Sequence, residues 1–227
     1  MTRKRLTKLA TCAGCFSSDG YTHDVQCVVY QGPDTEHQGK EICFASNEDT
    51  LTIVDVTNKA QPIQLSRATY PDTGYSHQGW LTESHQYFLL DDETDELNNP
   101  NLTTRTLTLD LTDLDQPSLA GIHMAAGRSV DHNQYVVGDF TYQANYRRGL
   151  RILHIDDAAN GRLTEVAYFD TYPEGDGNGF SGAWNVYPFF PSGNVLVSDG
   201  NRGFFLVRPN LPGQNLILDT GFEGSVR

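Results

Sequence analysis

Short runs in which hydrophobic and polar residues alternate recur along this chain, and turn-forming residues separate them. One series consists of TLTIVDVT, TRTLTLDLT, GLRILHIDD and GFFLVRP, and its alternation is typical of half-buried antiparallel strands. Turns such as NKAQP and DLDQP follow the first two members, and the proline there ends a strand because it cannot donate a hydrogen bond to the sheet. No long helical pattern interrupts the series. The pattern therefore predicts an all-β chain.

The strand pattern repeats along the chain, and a histidine marks the start of three units. The segments YTHDVQ, YSHQGW and VDHNQY place His77 54 residues after His23 and His132 55 residues after His77, and a further 52 residues lead to Trp184. Each unit contains four short strand patterns. Self-similarity at this kind of period is typical of solenoids and propellers. We therefore predict a β-propeller with four four-stranded antiparallel blades, either closed or as a partial ring, with the first strand of each unit innermost.

The repeat also predicts domain boundaries. Residues 1–20 are expected to be a leader-like or disordered tail, because a basic start precedes a weakly apolar stretch. Residues 21–227 are expected to form the propeller domain. Its repeats are approximately 21–74, 75–130, 131–180 and 181–227. The last strand of the fourth unit is expected in QNLILDTGF.

Charge narrows the classes of function. The 227 residues carry a formal net charge of -13, which argues against binding to a nucleic-acid backbone because that needs a basic face. The same charge is compatible with cation binding. No apolar run approaches the roughly 20 residues that cross a bilayer, so we expect no transmembrane segment.

The equivalent histidines are the first candidate site. If the units superpose, His23, His77 and His132 converge at the channel, and three imidazoles with an open fourth position suit zinc or copper. Asp24 and Asp131 flank two of these histidines as candidate ligands or supporting groups, although adjacent residues of a regular strand point to opposite faces. The alternative is structural, with each histidine bonding a neighbouring backbone group.

The acidic stretch DDETDELNNPN is the second candidate site. Clusters of carboxylate oxygens are what calcium prefers. A tentative calcium site would use the following five carboxylates: Asp91, Asp92, Glu93, Asp95 and Glu96. The alternative is a solvated acidic loop between strands.

Aromatic residues on the predicted inner strands are a third candidate. Trp80, Tyr135 and Trp184 could form a stacking surface for a ligand at the channel mouth, or they could pack between blades.

Cysteines add a structural expectation. Cys27 and Cys43 lie on neighbouring predicted strands, so either a cross-strand disulfide or a buried pair of thiols is expected. Cys12 and Cys15 form a C-x2-C pair whose state the sequence leaves open, because a zinc ribbon needs two such pairs.

Several segments in order resemble a known family. TLTIVDVTNKAQP, HQGWLTE, FLLDDETDE, DHNQYV and FFPSGNVLVSD are similar to the LVIVD-repeat propellers of the choice-of-anchor B family, over roughly residues 20–209. Members are secreted or surface-attached bacterial proteins, so the resemblance implies an extracytoplasmic location: secreted, periplasmic or on the cell surface. Members are usually longer at the N-terminus and have more blades, so we expect this chain to be truncated there. Their activity is largely undefined.

These observations favour a non-enzymatic binding scaffold for an unknown protein or small-molecule ligand, with a divalent metal (zinc, copper or calcium) held at the channel. The alternative is a metalloenzyme that uses the three histidines to activate water or oxygen. A third hypothesis is a structural subunit that forms a homo-oligomer to complete the ring. No nucleic-acid partner is expected.

Overall fold

The structure, a computed structural model, describes residues 13–211 and contains four antiparallel sheets, which we call blades 1 to 4. Blade 1 consists of β1 (Asp24–Val29), β2 (Glu41–Ser46), β3 (Leu51–Asp55) and β4 (Ile63–Ala68). Blade 2 consists of β5 (Ser76–Leu81), β6 (Tyr87–Asp92), β7 (Arg105–Asp110) and β8 (Ser118–Met124). Blade 3 consists of β9 (Asn133–Val137), β10 (Phe140–Ala144), β11 (Leu150–Asp157) and β12 (Arg162–Phe169). Blade 4 consists of β13 (Ala183–Tyr187), β14 (Val195–Asp199) and β15 (Gly203–Val207).

Strands that are consecutive in sequence are neighbours within each blade, and the first strands β1, β5, β9 and β13 pack side by side. The predicted all-β propeller of four antiparallel blades is therefore confirmed. The helices of the described residues are α1 (Asp95–Asn98) and one 3-10 turn (Ala158–Asn160). Blade 4 has three strands in the described part of the chain, and the strand predicted in QNLILDTGF lies outside the described residues.

Alternating side chains of one strand pack into two different interfaces. On β6, Phe88 and Leu90 belong to the apolar cluster between blades 1 and 2, where Phe88 stacks on Phe44 at 5.7 Å between ring centroids. Leu89 points the other way and joins Val136 between blades 2 and 3. Every described blade therefore buries its apolar side chains against a neighbour, as the units of repeat proteins must.

Blades 2 and 3 meet through a smaller apolar cluster and through close backbone packing. A side chain at Gly121 of β8 would collide with the backbone of Gly161, and Gly161 itself has a φ of 67°. A substitution at either glycine would therefore push these two blades apart.

The end blades leave large apolar side chains exposed. Val29 and Ile63 of blade 1 are 53% and 59% exposed, and Phe204 and Leu206 of blade 4 are 71% and 58% exposed. The outer surface of each end blade is thus uncovered among residues 13–211. In the same residues, every helix is too short or too polar to cross a membrane.

A disulfide closes the first hairpin. Cys27 of β1 lies directly opposite Cys43 of β2, and the two form a disulfide. Cys15 is an exposed free thiol, and Cys12 lies outside the described residues.

Candidate metal centre

The residues that the repeat places at equivalent positions form a continuous row across the four blades. The ring centroids lie 4.2 Å apart for His23 and His77, 4.3 Å for His77 and His132, and 4.2 Å for His132 and Trp184. The interval of the repeat, read from the sequence, correctly places all four side chains next to one another.

Two members of this row, His77 and Trp184, lie at β-bulges. The register between β5 and β6 shifts between Ser76 and Gln78, so His77 is the extra residue, and the register between β13 and β14 shifts in the same way around Trp184. A bulge changes the direction in which a side chain leaves the strand. It therefore turns these residues toward the row instead of into the blade interface.

Main-chain hydrogen bonds define the tautomer of two histidines. The Nδ1 of His77 donates to the main-chain carbonyl of His132 at 2.7 Å, and the Nδ1 of His132 donates to the carbonyl of Trp184 at 2.5 Å. A carbonyl can only accept, so Nδ1 carries the hydrogen and Nε2 carries the lone pair. Each ring thus ties its blade to the next and still has a nitrogen free to bind a ligand.

The carboxylate of Glu93 faces both of these free nitrogens. Its Oε2 lies 3.7 Å from Nε2 of His77, and its Oε1 lies 3.8 Å from Nε2 of His132. These distances are too long for hydrogen bonds. They approach the spacing of about 3.4 Å expected for two ligands that each lie about 2.1 Å from a tetrahedral zinc ion. Ligand atoms of all three residues lie within 4.8 Å of one another.

Burial keeps both imidazoles neutral, so they do not balance the charge of a carboxylate at Glu93. His77 and His132 are each 4% exposed. Burial, followed by the neighbouring imidazoles, lowers the pKa of His77 to about 3 and that of His132 to about 4, so both rings are neutral at pH 7. Burial also raises the pKa of Glu93. The contacts to Glu93 are therefore not ion pairs: two lone pairs face a carboxylate with no hydrogen between them.

Tyr146 and the chain around Tyr75 hold Glu93 in place. The Tyr146 hydroxyl donates to Oε1 of Glu93 at 2.6 Å, and the main-chain N–H of Glu93 donates to the carbonyl of Tyr75 at 3.0 Å. Burial, together with the charge of Glu93, raises the pKa of Tyr146, so its proton stays on the hydroxyl. Such a hydrogen bond fixes the orientation of a metal-binding carboxylate.

His23 lies at the edge of this cluster. Its Nδ1 is 3.1 Å from the hydroxyl of Tyr75 and 3.3 Å from that of Tyr21. It does not share the mutual spacing of His77, Glu93 and His132. The repeat predicted a site of three histidines. The structure instead brings together His77, His132 and the carboxylate of Glu93, and His23 stacks on His77.

Sequence reasoning did not connect Glu93 or Tyr146 with the histidines. The sequence places Glu93 in the acidic stretch that we expected to bind calcium, and Tyr146 is not among the candidate site residues. The available signal was the position of both residues: Glu93 is the first residue after β6 and Tyr146 is the second after β10, and these second strands pair with the innermost strands.

The five acidic residues proposed for calcium are divided among different environments. Asp92 accepts hydrogen bonds from Tyr75 N at 2.6 Å, Gly74 N at 2.8 Å and the Tyr70 hydroxyl at 3.0 Å, so it is a structural group. Glu93 faces the histidines. The other three, Asp91, Asp95 and Glu96, are buried.

Asp24 and Asp131, which flank His23 and His132 in the sequence, lie in different environments. Asp131 is buried with the acidic group and not with the histidines, whereas Asp24 is exposed. Consecutive residues point in opposite directions here, as the strand geometry predicted.

The candidate aromatic ligand residues do not share one surface. Trp80 and Tyr135 make an edge-to-face contact at 5.0 Å between centroids, and Phe189 joins both of them. Trp184 instead stacks on His132 in the histidine row.

A second group of potential ligands lies on the outside of blades 1 and 2. Asp34, His37 and Asp115 also place ligand atoms within 4.8 Å of one another. The Nε2 of His37 contacts Oδ2 of Asp115 at 3.1 Å, and its Nδ1 lies 3.2 Å from Nζ of Lys40. Because Lys40 can only donate, Nδ1 is the acceptor and Nε2 is the donor, so neither nitrogen has a free lone pair.

Comparisons with known proteins identify the fold. No family model matches this chain, and no curated protein matches it. A crystal structure of a protein from Lactobacillus plantarum is 19% identical, with a TM-score of 0.58, and the match covers 84% of this chain and 52% of that one. The periplasmic gluconolactonase of Pseudomonas aeruginosa is 15% identical, with a TM-score of 0.55, over 80% of this chain and 47% of that one. The chain thus spans about half the length of these propeller-type neighbours, and the likeness concerns the fold alone.

Proposed function

We propose that this chain is a metal-binding β-propeller module in which His77, Glu93 and His132 bind one divalent transition metal, zinc or copper. One observation carries the proposal: the Nε2 lone pairs of two buried imidazoles face the half-buried carboxylate of Glu93 at 3.7 and 3.8 Å, and neither Nε2 has a hydrogen to donate to it. Facing acceptors repel one another and have lost their water, which is costly unless a cation lies between them. A metal ion supplies that charge.

The chemistry of the donor set favours a transition metal over calcium. Imidazole nitrogen suits zinc and copper, whereas calcium takes oxygen ligands. Two histidines and a glutamate are also a known set for zinc and leave a fourth position for water or a ligand. His23 stacks on His77, and the Tyr75 hydroxyl contacts His23, so these two side chains lie beside the residues that would hold the metal.

We propose that the module acts outside the cytoplasm as a binding scaffold. The Cys27–Cys43 disulfide supports this location, because disulfides persist in oxidising compartments. The resemblance to the choice-of-anchor B family implies the same location, and one structural neighbour is a periplasmic protein. The ligand is proposed to be a small molecule or a protein side chain that completes the coordination of the metal.

A second candidate function, metal-assisted catalysis, is favoured by the same open coordination position. Zinc with three protein ligands lowers the pKa of its bound water to about 7 and so generates a nucleophile. A catalyst would show turnover that disappears when the metal is removed. A scaffold would bind its ligand without converting it.

The exposed apolar side chains of blades 1 and 4 favour a third element of the proposal, a second copy of the chain that completes the ring. Two copies of the chain would cover each other's exposed apolar side chains, Val29 and Ile63 on blade 1 and Phe204 and Leu206 on blade 4. Light scattering that shows a dimer, lost in a Phe204→Lys variant, would support this assembly. A monomer at micromolar concentration would contradict it.

Metal analysis of the purified protein tests the main proposal. After chelation and reloading with zinc, we expect one zinc per chain for the wild type and far less than one for His77→Gln and for Glu93→Gln. His37→Gln is the matched control and should retain one zinc. Thermal unfolding of each variant verifies that it is folded. Unchanged zinc content in folded His77→Gln would overturn the proposal.

A further inference from the structure

Four carboxyl groups are buried where blade 2 meets blade 3. Asp91 belongs to β6, Asp95 and Glu96 belong to α1, and Asp131 precedes β9 by two residues. Each is at most 1% exposed. We call this group the acidic chamber.

Most oxygens of the acidic chamber have no hydrogen-bond donor. The donors that reach them are Nε2 of Gln134, at 2.6 Å from Oδ1 of Asp91, and Nε of Arg105, which contacts Oδ2 of Asp95. Arg128 donates to the main-chain carbonyl of Glu96 and not to its carboxylate. Six buried oxygens are left without a partner: Oδ2 of Asp91, Oδ1 of Asp95, both Oε atoms of Glu96 and both Oδ atoms of Asp131.

These carboxyl groups also crowd one another. Asp91 lies within hydrogen-bonding reach of Asp131, and Asp95 lies within reach of Glu96. Burial raises the pKa of all four, and with repulsion from Asp95 it raises the pKa of Glu96 to about 10. Two carboxylates in contact need either a shared proton or a cation between them. One arginine cannot neutralise four buried carboxylates.

We propose that the acidic chamber binds a calcium ion that links blades 2 and 3. Every unpartnered atom of the chamber is a carboxylate oxygen, which is the ligand type that calcium takes. The ligands come from both blades, so the ion would join them. This is the interface with the small apolar cluster of Leu89, Val136 and their neighbours, where an added link stabilises most.

The four carboxyl groups of the acidic chamber form two contacting pairs, Asp91 with Asp131 and Asp95 with Glu96. No three of its carboxylates belong to the groups of described residues whose ligand atoms all lie within 4.8 Å of one another. Calcium tolerates irregular geometry and would draw the two pairs together by side-chain rotation.

Thermal unfolding of the full chain with calcium chloride or with a chelator tests the proposal. We expect millimolar calcium to raise the unfolding temperature of the wild type by about 5 °C or more. Asp131→Asn should lose this response. It should also unfold at a higher temperature than the wild type in chelator, because a neutral amide replaces a buried carboxyl that must either bind a proton or carry an unpaired charge. His77→Gln should keep the calcium response, which separates this site from the proposed metal centre.

Terbium provides a second measurement that does not depend on a variant. Terbium is expected to replace calcium and to show emission sensitised by the nearby tyrosines, and excess calcium should quench that emission. The proposal is overturned if calcium does not shift the wild-type unfolding temperature, because protons alone then neutralise the chamber. An equal shift in folded Asp131→Asn would also overturn it.

Discussion

Two clusters of this protein satisfy the same distance criterion for a metal site but differ in their hydrogen bonds. In the first, the Nδ1 atoms of His77 and His132 donate to main-chain carbonyls, so their Nε2 lone pairs face Glu93. In the second, His37 uses one nitrogen with Asp115 and the other with Lys40. The hydrogen bonds of the two ring nitrogens therefore decide whether a histidine keeps a lone pair that can bind a metal.

The largest expected effect comes from removing one imidazole of the first cluster. His132→Ala should weaken zinc binding by more than about 100-fold, because a nitrogen ligand is lost outright. His37→Ala should leave zinc affinity within twofold of the wild type. Isothermal titration at pH 7 measures both values. A comparable loss in the two variants would remove the distinction between the clusters.

The next effect concerns the carboxylate. Glu93→Gln should lower zinc affinity by about 10- to 100-fold, because the neutral amide supplies no charge to the metal. Asp115→Asn is the matched change in the second cluster and should have no effect on zinc affinity. Competition with a chromophoric chelator resolves affinities in this range. Full affinity in Glu93→Gln would show that the carboxylate is not a ligand.

A smaller effect is expected at the group that orients the carboxylate. Tyr146→Phe removes the hydrogen bond to Glu93 but keeps the ring, and should lower zinc affinity by about 10-fold, the lower end of such outer contributions. The unfolding temperature without metal should change little. Tyr30→Phe, which removes the hydrogen bond of another buried tyrosine to the main-chain carbonyl of Leu111, is the control. An equal loss of affinity in the two variants would contradict an orienting role for Tyr146.

The smallest effect is the pH dependence of stability in the metal-free protein. The pKa of His77 is lowered to about 3 and that of His132 to about 4, whereas the unfolded chain titrates near pH 6.5, so the unfolded state binds more protons between these values. Stability should therefore be lost as pH falls from about 6.5 to 4, with at most about 1.4 kcal/mol per pH unit from each ring.

Urea denaturation of the wild type and His132→Gln tests this slope. The variant should show a shallower decline in the free energy of unfolding toward pH 4. Identical slopes would mean that His132 is not held neutral by the fold.

The repeat made the fold and the histidine row predictable. Strands read from period-two alternation and the spacing from His23 through His77 and His132 to Trp184 both follow directly from the order of residues. What could not be predicted depends on side-chain direction. A bulge turns His77, and the successive residues Asp91, Asp92 and Glu93 point into three different environments.

Tertiary contacts explain the remaining differences. Tyr146 comes from blade 3 and Glu93 from blade 2, so no local pattern joins them. Asp131 directly precedes His132 in the sequence. The two side chains nevertheless belong to different clusters, because His132 faces Glu93 and Asp131 faces the buried acidic residues. The acidic stretch was expected to be either a calcium site or a solvated loop, whereas four of its five carboxyl groups, Asp91, Asp92, Asp95 and Glu96, are buried in the fold.

The position of a bound zinc ion tests the central claim most directly. An anomalous difference map from crystals of the zinc-loaded protein, recorded at the zinc edge, is expected to show one peak about 2.1 Å from Nε2 of His77, Nε2 of His132 and a carboxylate oxygen of Glu93. A peak at His37, or no peak beside His77 and His132, would contradict the account.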